Sequence, residues 1–397
     1  MWITGPQRDD PGVFPQPLVG VVERATIEEA STMRITSERS TLLHGVQTVA
    51  RAVSSRTTLP ILGNIALQAQ EGRLELAATD LDIWMECSVP VMMEEGGALT
   101  VPARVFLEIL NALPEEPVEL QADEGSRLHL TCGRSRYEIH GLPAEEYPHL
   151  PEVDGALRVA LKQALLKELI RMTAFAASRD ETRAILMGAL LVLEPHRVRM
   201  VATDTYRLAL RTEPEELPLE QGVQVVIPGR ALGELPRLLK EEGEVVITIG
   251  ENQIRFDTGE ARLTSRLLEG QFPNFERVLP TGYEHRWRLP SSLLREAIQR
   301  CDIVARDDNH RILLTAEGDS LRLEAHSDRI GSVQEEMAME MEGGPLKVAF
   351  NATYLLDALK VIEAEELLFD LLGPTQPGTL RPVEGPDFVY VLMPMQF

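Results

Sequence analysis

Apolar positions recur along the chain with two periods, and the two alternate in one order three times. From Met33 to Ser37 polar and apolar residues alternate as in a half-buried strand. Leu42, Leu43, Val46, Val49, Ala50 and Val53 then follow three-and-four spacing, which predicts an amphipathic helix. Short apolar or alternating runs bounded by Gly, Asn and Asp predict strands at 61–68, 74–78 and 137–142. A second helix is expected from Phe106, Ile109, Leu110 and Leu113. The order returns with Leu165, Leu166, Leu169, Met172 and Ala176, followed by Leu232, Leu235, Leu238 and Leu239. It returns again with Leu293, Leu294, Ala297, Ile298 and Cys301, followed by Leu355, Leu356 and Leu359. Each copy predicts two helices and many strands, a helix layer packed on a sheet layer, so the fold class is α+β.

Short motifs mark the repeat. Ala78-Thr79-Asp80, Ala202-Thr203-Asp204 and Ala325-His326-Ser327-Asp328 place aspartates at 80, 204 and 328, with 124 residues in both intervals. Pro102-Ala103-Arg104, Pro228-Gly229-Arg230 and Phe350-Asn351 each open a second helix. A solenoid unit spans only about 20–50 residues; this period is the size of a whole domain. Three tandem copies of one fold are predicted, over 33–153, 154–282 and 283–397. Residues 1–32 stand outside the repeat and are rich in proline (Pro6, Pro11, Pro15, Pro17). They read as a disordered leader, or as a start assigned too early.

Tandem copies point to a symmetric scaffold, and six helices per chain allow a size argument. If helices about 9–10 Å apart lined a ring, six would leave a hole of only ~9 Å. Twelve would leave ~28 Å by the same sum. A DNA duplex is roughly 20 Å across and passes only through the larger hole. The geometry therefore favours a ring made by a head-to-tail dimer.

Charge at first speaks against DNA, because 62 acidic residues against 39 basic ones give a net −23 and phosphate binding ordinarily needs a basic surface. The helices expected around the hole nevertheless carry Arg39, Arg51, Arg104, Lys162, Lys167, Arg171, Arg230, Arg237, Lys240, Arg295, Arg300 and Lys360. Acidic runs lie elsewhere, at Glu94-Glu95, Glu115-Glu116, Glu215-Glu216 and Glu335-Glu336. A ring that holds DNA by topology needs little affinity, and a negative exterior discourages other binding modes. Three cysteines, Cys87, Cys132 and Cys301, one per repeat, form no disulfide framework and read as reduced. No apolar run reaches the ~18 residues of a membrane span, and Met1 to Asp10 lack a signal-peptide pattern. A soluble, cytoplasmic protein is expected.

Catalysis is the rival reading. Asp80 with Asp82, Asp204, and Asp307-Asp308-Asn309-His310 supply carboxylates that would suit acid–base work or a metal. Recurrence of the aspartate at one place in every copy instead marks a turn-forming residue after a strand. Asp307-Asp308-Asn309 lacks the glycine and distal glutamate of a calcium loop. No catalytic residue, metal ligand or cofactor is expected. A structural ring without DNA is the remaining alternative, and the helix cations speak against it.

Longer motifs name a family. Thr58-Leu59-Pro60-Ile61-Leu62-Gly63-Asn64, Val101-Pro102-Ala103-Arg104, Ala202-Thr203-Asp204 through Arg207-Leu208-Ala209, Phe272-Pro273-Asn274 through Arg277-Val278-Leu279-Pro280, and Val391-Leu392-Met393-Pro394-Met395 occur in order across all three repeats. From Met33 to Phe397 the chain resembles the bacterial sliding clamps, the beta subunits of DNA polymerase III. The resemblance implies a homodimeric ring that encircles double-stranded DNA without sequence preference and tethers the replicative polymerase. A clamp loader and repair proteins would share its peptide pocket. The matching pocket positions are Arg183, Leu186, Thr203, Tyr206, Arg207, Leu208, Pro273, Arg277, Val278, Val391, Met393, Pro394 and Met395. DNA contacts fall on Arg56 and Arg104. The dimer seam falls on Ile109, Tyr137 and Ile139 against Ile303 and Val304. The chain departs from the family pattern at Gln396-Phe397, in place of Arg-Leu, and at Thr205, where Gly is common.

Overall fold

The computed structural model describes residues 32–54, 59–149, 153 and 157–396. Residues 1–31 and Arg56 lie outside these. The first repeat runs β1 (Met33–Glu38), α1 (Arg39–Val49), β2 (Asn64–Gln70), β3 (Arg73–Thr79), β4 (Ile83–Pro90) and β5 (Met92–Glu95). It continues through β6 (Gly97–Pro102), α2 (Ala103–Ala112), β7 (Pro117–Ala122), β8 (Arg127–Cys132) and β9 (Ser135–His140). The second holds β10 (Leu157–Lys162), α3 (Gln163–Thr173), β11 (Gly188–Glu194), β12 (Arg197–Thr203) and β13 (Arg207–Pro214). There follow β14 (Val223–Pro228), α4 (Gly229–Glu234), β15 (Glu244–Ile249), β16 (Gln253–Asp257) and β17 (Ala261–Arg266). The third holds β18 (His285–Pro290), α5 (Ser291–Ala305), β19 (Arg311–Glu317), β20 (Ser320–Ser327), β21 (Gly331–Ala338) and β22 (Glu340–Glu342). It ends with β23 (Leu346–Asn351), α6 (Ala352–Val361), β24 (Glu366–Leu371), β25 (Gly378–Pro382) and β26 (Asp387–Leu392).

Two helices per repeat and a majority of strands match the period pattern. Alternation on β3 and β20 buries every second residue, and the apolar stripes of α1, α3 and α5 bury Leu42, Val46, Leu166, Leu169, Leu294 and Ile298. Each such Leu, Ile or Val contributes about 1.5–3 kcal/mol. A methyl group on Gly45 would lie 2.6 Å from Leu76 Cδ1 and 2.8 Å from Val89 Cγ1, so α1 packs closely on the sheet and a larger residue there would displace these side chains.

Several boundaries differ from the sequence pattern: α1 and α3 pass into 3-10 turns at Ala50 and Ala174, and two further differences are due to proline. β2 begins at Asn64 rather than near Ile61, since Pro60 opens a short 3-10 turn over Pro60–Gly63. α4 ends at Glu234 and passes into a 3-10 turn containing Pro236, which has no N–H for the helical ladder. Leu235 and Leu239 still reach the core.

Strand pairing ties the repeats together. Every repeat divides its strands between two sheets, and two of the four sheets cross a repeat boundary. The eight-stranded sheet has the order β10-β15-β16-β17-β4-β3-β2-β6, and the nine-stranded sheet β14-β11-β12-β13-β26-β25-β24-β18-β22. At the first seam β4 pairs antiparallel with β17, with Met85 opposite Leu263. At the second, β13 pairs antiparallel with β26, with Ala209 opposite Tyr390. One rule covers both: the strand that follows the recurrent aspartate joins the last strand of the next repeat. The strands that would continue it are β21, which ends the sheet β21-β20-β19-β23, and β9, which ends β5-β1-β7-β8-β9. Among the described residues both lack a neighbour on their outer edge.

Candidate functional site

The second seam gathers most of the pocket positions. Before β13, Asp204 Oδ1 accepts from the Tyr206 and Arg207 amides at 2.9 and 3.0 Å. Thr203 Oγ1 accepts from the Thr205 amide at 3.1 Å and donates to Arg207 O at 2.6 Å. Asp80 makes the same turn in the first repeat, accepting from Asp82 and Ile83 amides. The turn-forming role expected for this aspartate thus holds in two copies. In the third, Ser327 Oγ accepts from the Arg329 and Ile330 amides instead.

This turn lifts Tyr206 into solvent, 57% exposed. Thr205 takes a φ of +79°, a left-handed conformation uncommon for a β-branched residue. Arg183 Nη1 donates to the Thr205 hydroxyl at 2.7 Å. The end of the chain returns beside the turn: Leu208 lies opposite Val391, and the Met393 amide donates to Tyr206 O at 2.9 Å. The Met395 amide then donates to Ala349 O at 2.8 Å, strapping the tail to β23. After β17 the chain crosses the outer face of the sheet, where Phe272, Phe275 and Leu279 pack with Leu190, Leu208 and Val391. Leu186, Thr203, Leu208 and Val391 are therefore buried backing, while Tyr206, Val278 and Met393 offer exposed apolar surface. Arg183 is part of a short 3-10 segment after α3, Pro273 and Arg277 are exposed, and Pro394 and Met395 are half-buried.

Arg207 locks the seam below this surface. It bonds Asp204 at 3.0 Å and Asp357 of α6 at 2.8 Å, and donates to Phe175 O at 2.9 Å. Its guanidinium lies 4.4 Å from the Tyr354 ring centroid, a cation–π distance. Burial works against its charge, but Tyr390, Asp357 and Asp204 outweigh it and hold the pKa above the usual arginine value. Burial also opposes the Asp357 carboxylate, yet Arg207 and Lys360 hold its pKa below the ordinary range. Phe175, Tyr354, Asp357 and Tyr390 lie outside the pocket positions that the resemblance implies; no spacing in the chain ties them to residue 207.

A cavity of about 490 Å³ lies on the other side of the crossing loop, lined by Leu190, Arg199, Val226, Leu268, Phe272 and Phe275 among others. Of the predicted pocket residues only Pro273 lines it. Arg199 is neutralised there by Glu194 and Glu276.

The helix cations are largely engaged by acids. Arg51 pairs with Glu234, Arg104 with Glu108, Lys167 with Glu241, Arg171 with Glu363, Lys240 with Glu260 and Arg300 with Glu335. Two of the expected lining residues bond other parts of the fold. Arg39 donates to Leu110 O and Asn111 O at the C-terminal end of α2, and Arg230 bonds Asp80 across the first seam at 2.9 Å. Among the described residues Lys162 and Arg295 form no ion pair. No group of three His, Cys, Asp or Glu among the described residues is placed to hold a metal. The three cysteines are buried, and burial pushes the Cys87 thiol up to about 12.

At the open edges Tyr137 and Ile303 are exposed and Ile109 and Val304 half-buried. Ile139 differs from expectation. It is 5% exposed and already packed in its own core, so β9 has its backbone edge and Tyr137 to offer rather than this side chain.

Three family models cover the repeats in order: the DNA polymerase III beta subunit N-terminal domain over 33–151, the central domain over 160–274 and the C-terminal domain over 276–396. The chain belongs to the DNA polymerase III beta subunit family. It is 36% identical over 369 residues to the beta sliding clamp of Pseudomonas aeruginosa, covering 92% of this chain and 100% of the relative. It is 33% identical over 377 residues to that of Staphylococcus aureus, covering 92% and 99%. Among solved structures, a P. aeruginosa DnaN sliding clamp bound to griselimycin superposes with a TM-score of 0.89 at 35% identity, covering 92% of this chain and all of that one. The Bacillus subtilis DNA polymerase sliding clamp gives 0.89 at 33% identity with the same coverage. Family and fold therefore agree with three tandem clamp domains. No described helix is long and apolar enough to cross a membrane.

Proposed function

We propose that this chain is a DNA polymerase processivity factor, a ring that encircles duplex DNA, slides along it and catalyses nothing itself. The observation that carries the ring is the rule of the two internal seams. Of the edge strands, β21 and β9 are the two that the rule leaves without a partner among the described residues, and exposed edges invite pairing. The rule of the two internal seams assigns β21 of one copy to β9 of another, head to tail. Two such seams close the ring as a homodimer.

The helices agree with that assignment. α1, α3 and α5 start directly after β1, β10 and β18, so Ile303 stands where Arg51 and Phe175 stand in the earlier repeats. Arg51 bonds Glu234 across the first seam, and Phe175 stacks against Tyr390 across the second at 5.8 Å. Ile303, 60% exposed in one chain, would pack beside Ile109 of the other.

The surface of Tyr206, Val278 and Met393 over its buried backing forms the docking pocket for short peptides of the replicative polymerase, the clamp loader and repair proteins. One or two apolar side chains bury there for about 1.5–3 kcal/mol each, less the cost of ordering the peptide. Methionine adapts to varied partners. Because most helix cations are matched by acids, the lining holds DNA weakly, which suits sliding. Domain limits of 33–153, 154–282 and 283–397, and a cytoplasmic place of work, complete the reading.

Retention on DNA tests it. The protein is loaded onto nicked circular plasmid with a bacterial clamp loader, the complex isolated by gel filtration, and the plasmid cut once. Retention on the circle with release from the linear form is expected. Equal retention on both forms would mean ordinary affinity binding and would remove the sliding mechanism.

A further inference from the structure

Two ion pairs fasten the first seam outside its strands, Arg51 to Glu234 at 3.6 Å and, closer, Asp80 to Arg230 at 2.9 Å. Asp80 follows β3, and Arg230 is the second residue of α4. The counterparts by position are Asp328, which follows β20, and Arg104, the second residue of α2. In one chain they sit on the two open ends.

Both are without a seam partner there. Asp328 is fully exposed and, among the described residues, bonds only His326, at 3.2 Å. It is also released from the turn, because Ser327 Oγ accepts the Ile330 amide, the counterpart of the Asp82 and Tyr206 amides that Asp80 and Asp204 accept in their own repeats. Ser327 is itself held by Asp307 at 2.5 Å. Arg104 is 90% exposed and bonds Glu108 one turn on, at 2.9 Å. Arg230 has the same option in Glu234, four residues on, and bonds Asp80 across the seam instead. At the first seam Glu234 also receives Arg51; in the third repeat apolar Ile303 holds that place and supplies no charge.

We infer that Arg104 bonds Asp328 of a second copy of this chain, repeating the Asp80–Arg230 fastening at each seam between protomers. The pair rests on the head-to-tail ring proposed above and removes Arg104 from the DNA-contacting positions that the resemblance implies. Ion pairs exposed to water add little, but docking would take this one toward the state of the first seam, where Asp80 keeps only 10% of its side-chain exposure. Like charges placed opposite each other in such a seam are strongly unfavourable.

Charge exchange on the full chain tests this, followed by sedimentation equilibrium. Both side chains are exposed, so Arg104→Glu and Asp328→Arg are expected to fold with unchanged circular dichroism. Each single variant should raise the dimer Kd by about tenfold or more, and the double variant R104E/D328R should return to within about threefold of the parent. A dimeric parent whose single variants dimerise equally well, or whose double variant shows the sum of both losses, overturns the pair and leaves the ring standing. A parent that stays monomeric at every concentration removes the ring reading, and the pair with it.

Discussion

Arg207 and Asp357 lie 150 residues apart in the chain and bond at 2.8 Å, joining the turn beneath the candidate pocket to the last helix. Arg207 keeps 9% and Asp357 22% of its side-chain exposure. Removing one member of a buried pair leaves the other uncompensated, at about 3–5 kcal/mol in the fully buried case. Asp204 remains as a second partner here, so Asp357→Ala should cost about 2 kcal/mol by urea denaturation, and Arg207→Ala more. Equal midpoints for parent and variant would show that the seam does not depend on this bond.

The same carboxylate sets a pH dependence. Its folded pKa is depressed, so its contribution is present above the unfolded value of about 3.9 and fades as pH falls through the lower folded value. The stability gap between the parent and Asp357→Asn should therefore be full at pH 6 and shrink below about pH 4. A gap that stays constant down to pH 2.5 would assign the acid limb to other carboxylates.

Thr205 holds a φ of +79°. Strain of this kind costs about 1–3 kcal/mol, whereas glycine adopts the region freely. Thr205→Gly gives up the hydrogen bond from Arg183, worth about 0.5–1.5 kcal/mol. The net expectation is a stabilisation of up to about 1 kcal/mol, read as a higher denaturation midpoint. A lower midpoint would mean that the Arg183 contact outweighs the backbone strain.

Tyr206 and Met393 are exposed and adjoin through the bond from the Met393 amide to Tyr206 O. Truncating either should leave stability within about 0.5 kcal/mol. Affinity for a fluorescent peptide carrying a Leu-Phe pair should fall by about tenfold, the equivalent of one partly lost apolar contact. Unchanged anisotropy curves would move the site away from Tyr206, with the cavity lined by Leu268 and Phe272 as the next surface to probe.

The repeat, the two helices per copy and most strands are legible because apolar periodicity is local. Val46 follows Leu42 on one face whatever the rest of the chain does. Proline decided two of the boundary differences, at Pro60 and Pro236, and its effect is local as well. What periodicity does not carry is which edges meet. Nothing in the pattern of β4 says that its neighbour is β17 of the next repeat, since Met85 and Leu263 are both merely apolar. Charges were legible as types but not as partners. Arg39, Arg104 and Arg230 look alike in sequence; one caps a helix, one bonds along its own helix and one crosses a seam. The pocket residues came from motif likeness, and the Arg207 surroundings, drawn from three separate stretches of chain, had no motif to announce them.

The sheet that crosses the first seam also imposes an order of events on synthesis. Cys87 has its partner in Ala261, roughly 170 residues later, which is about 10–30 s of translation at ordinary bacterial and eukaryotic rates. During that interval the outer edge of β4 leaves the ribosome without the strand that covers it. A nascent first repeat therefore carries an adhesive edge, and a chaperone or the slow approach of the second repeat has to shield it until β17 emerges.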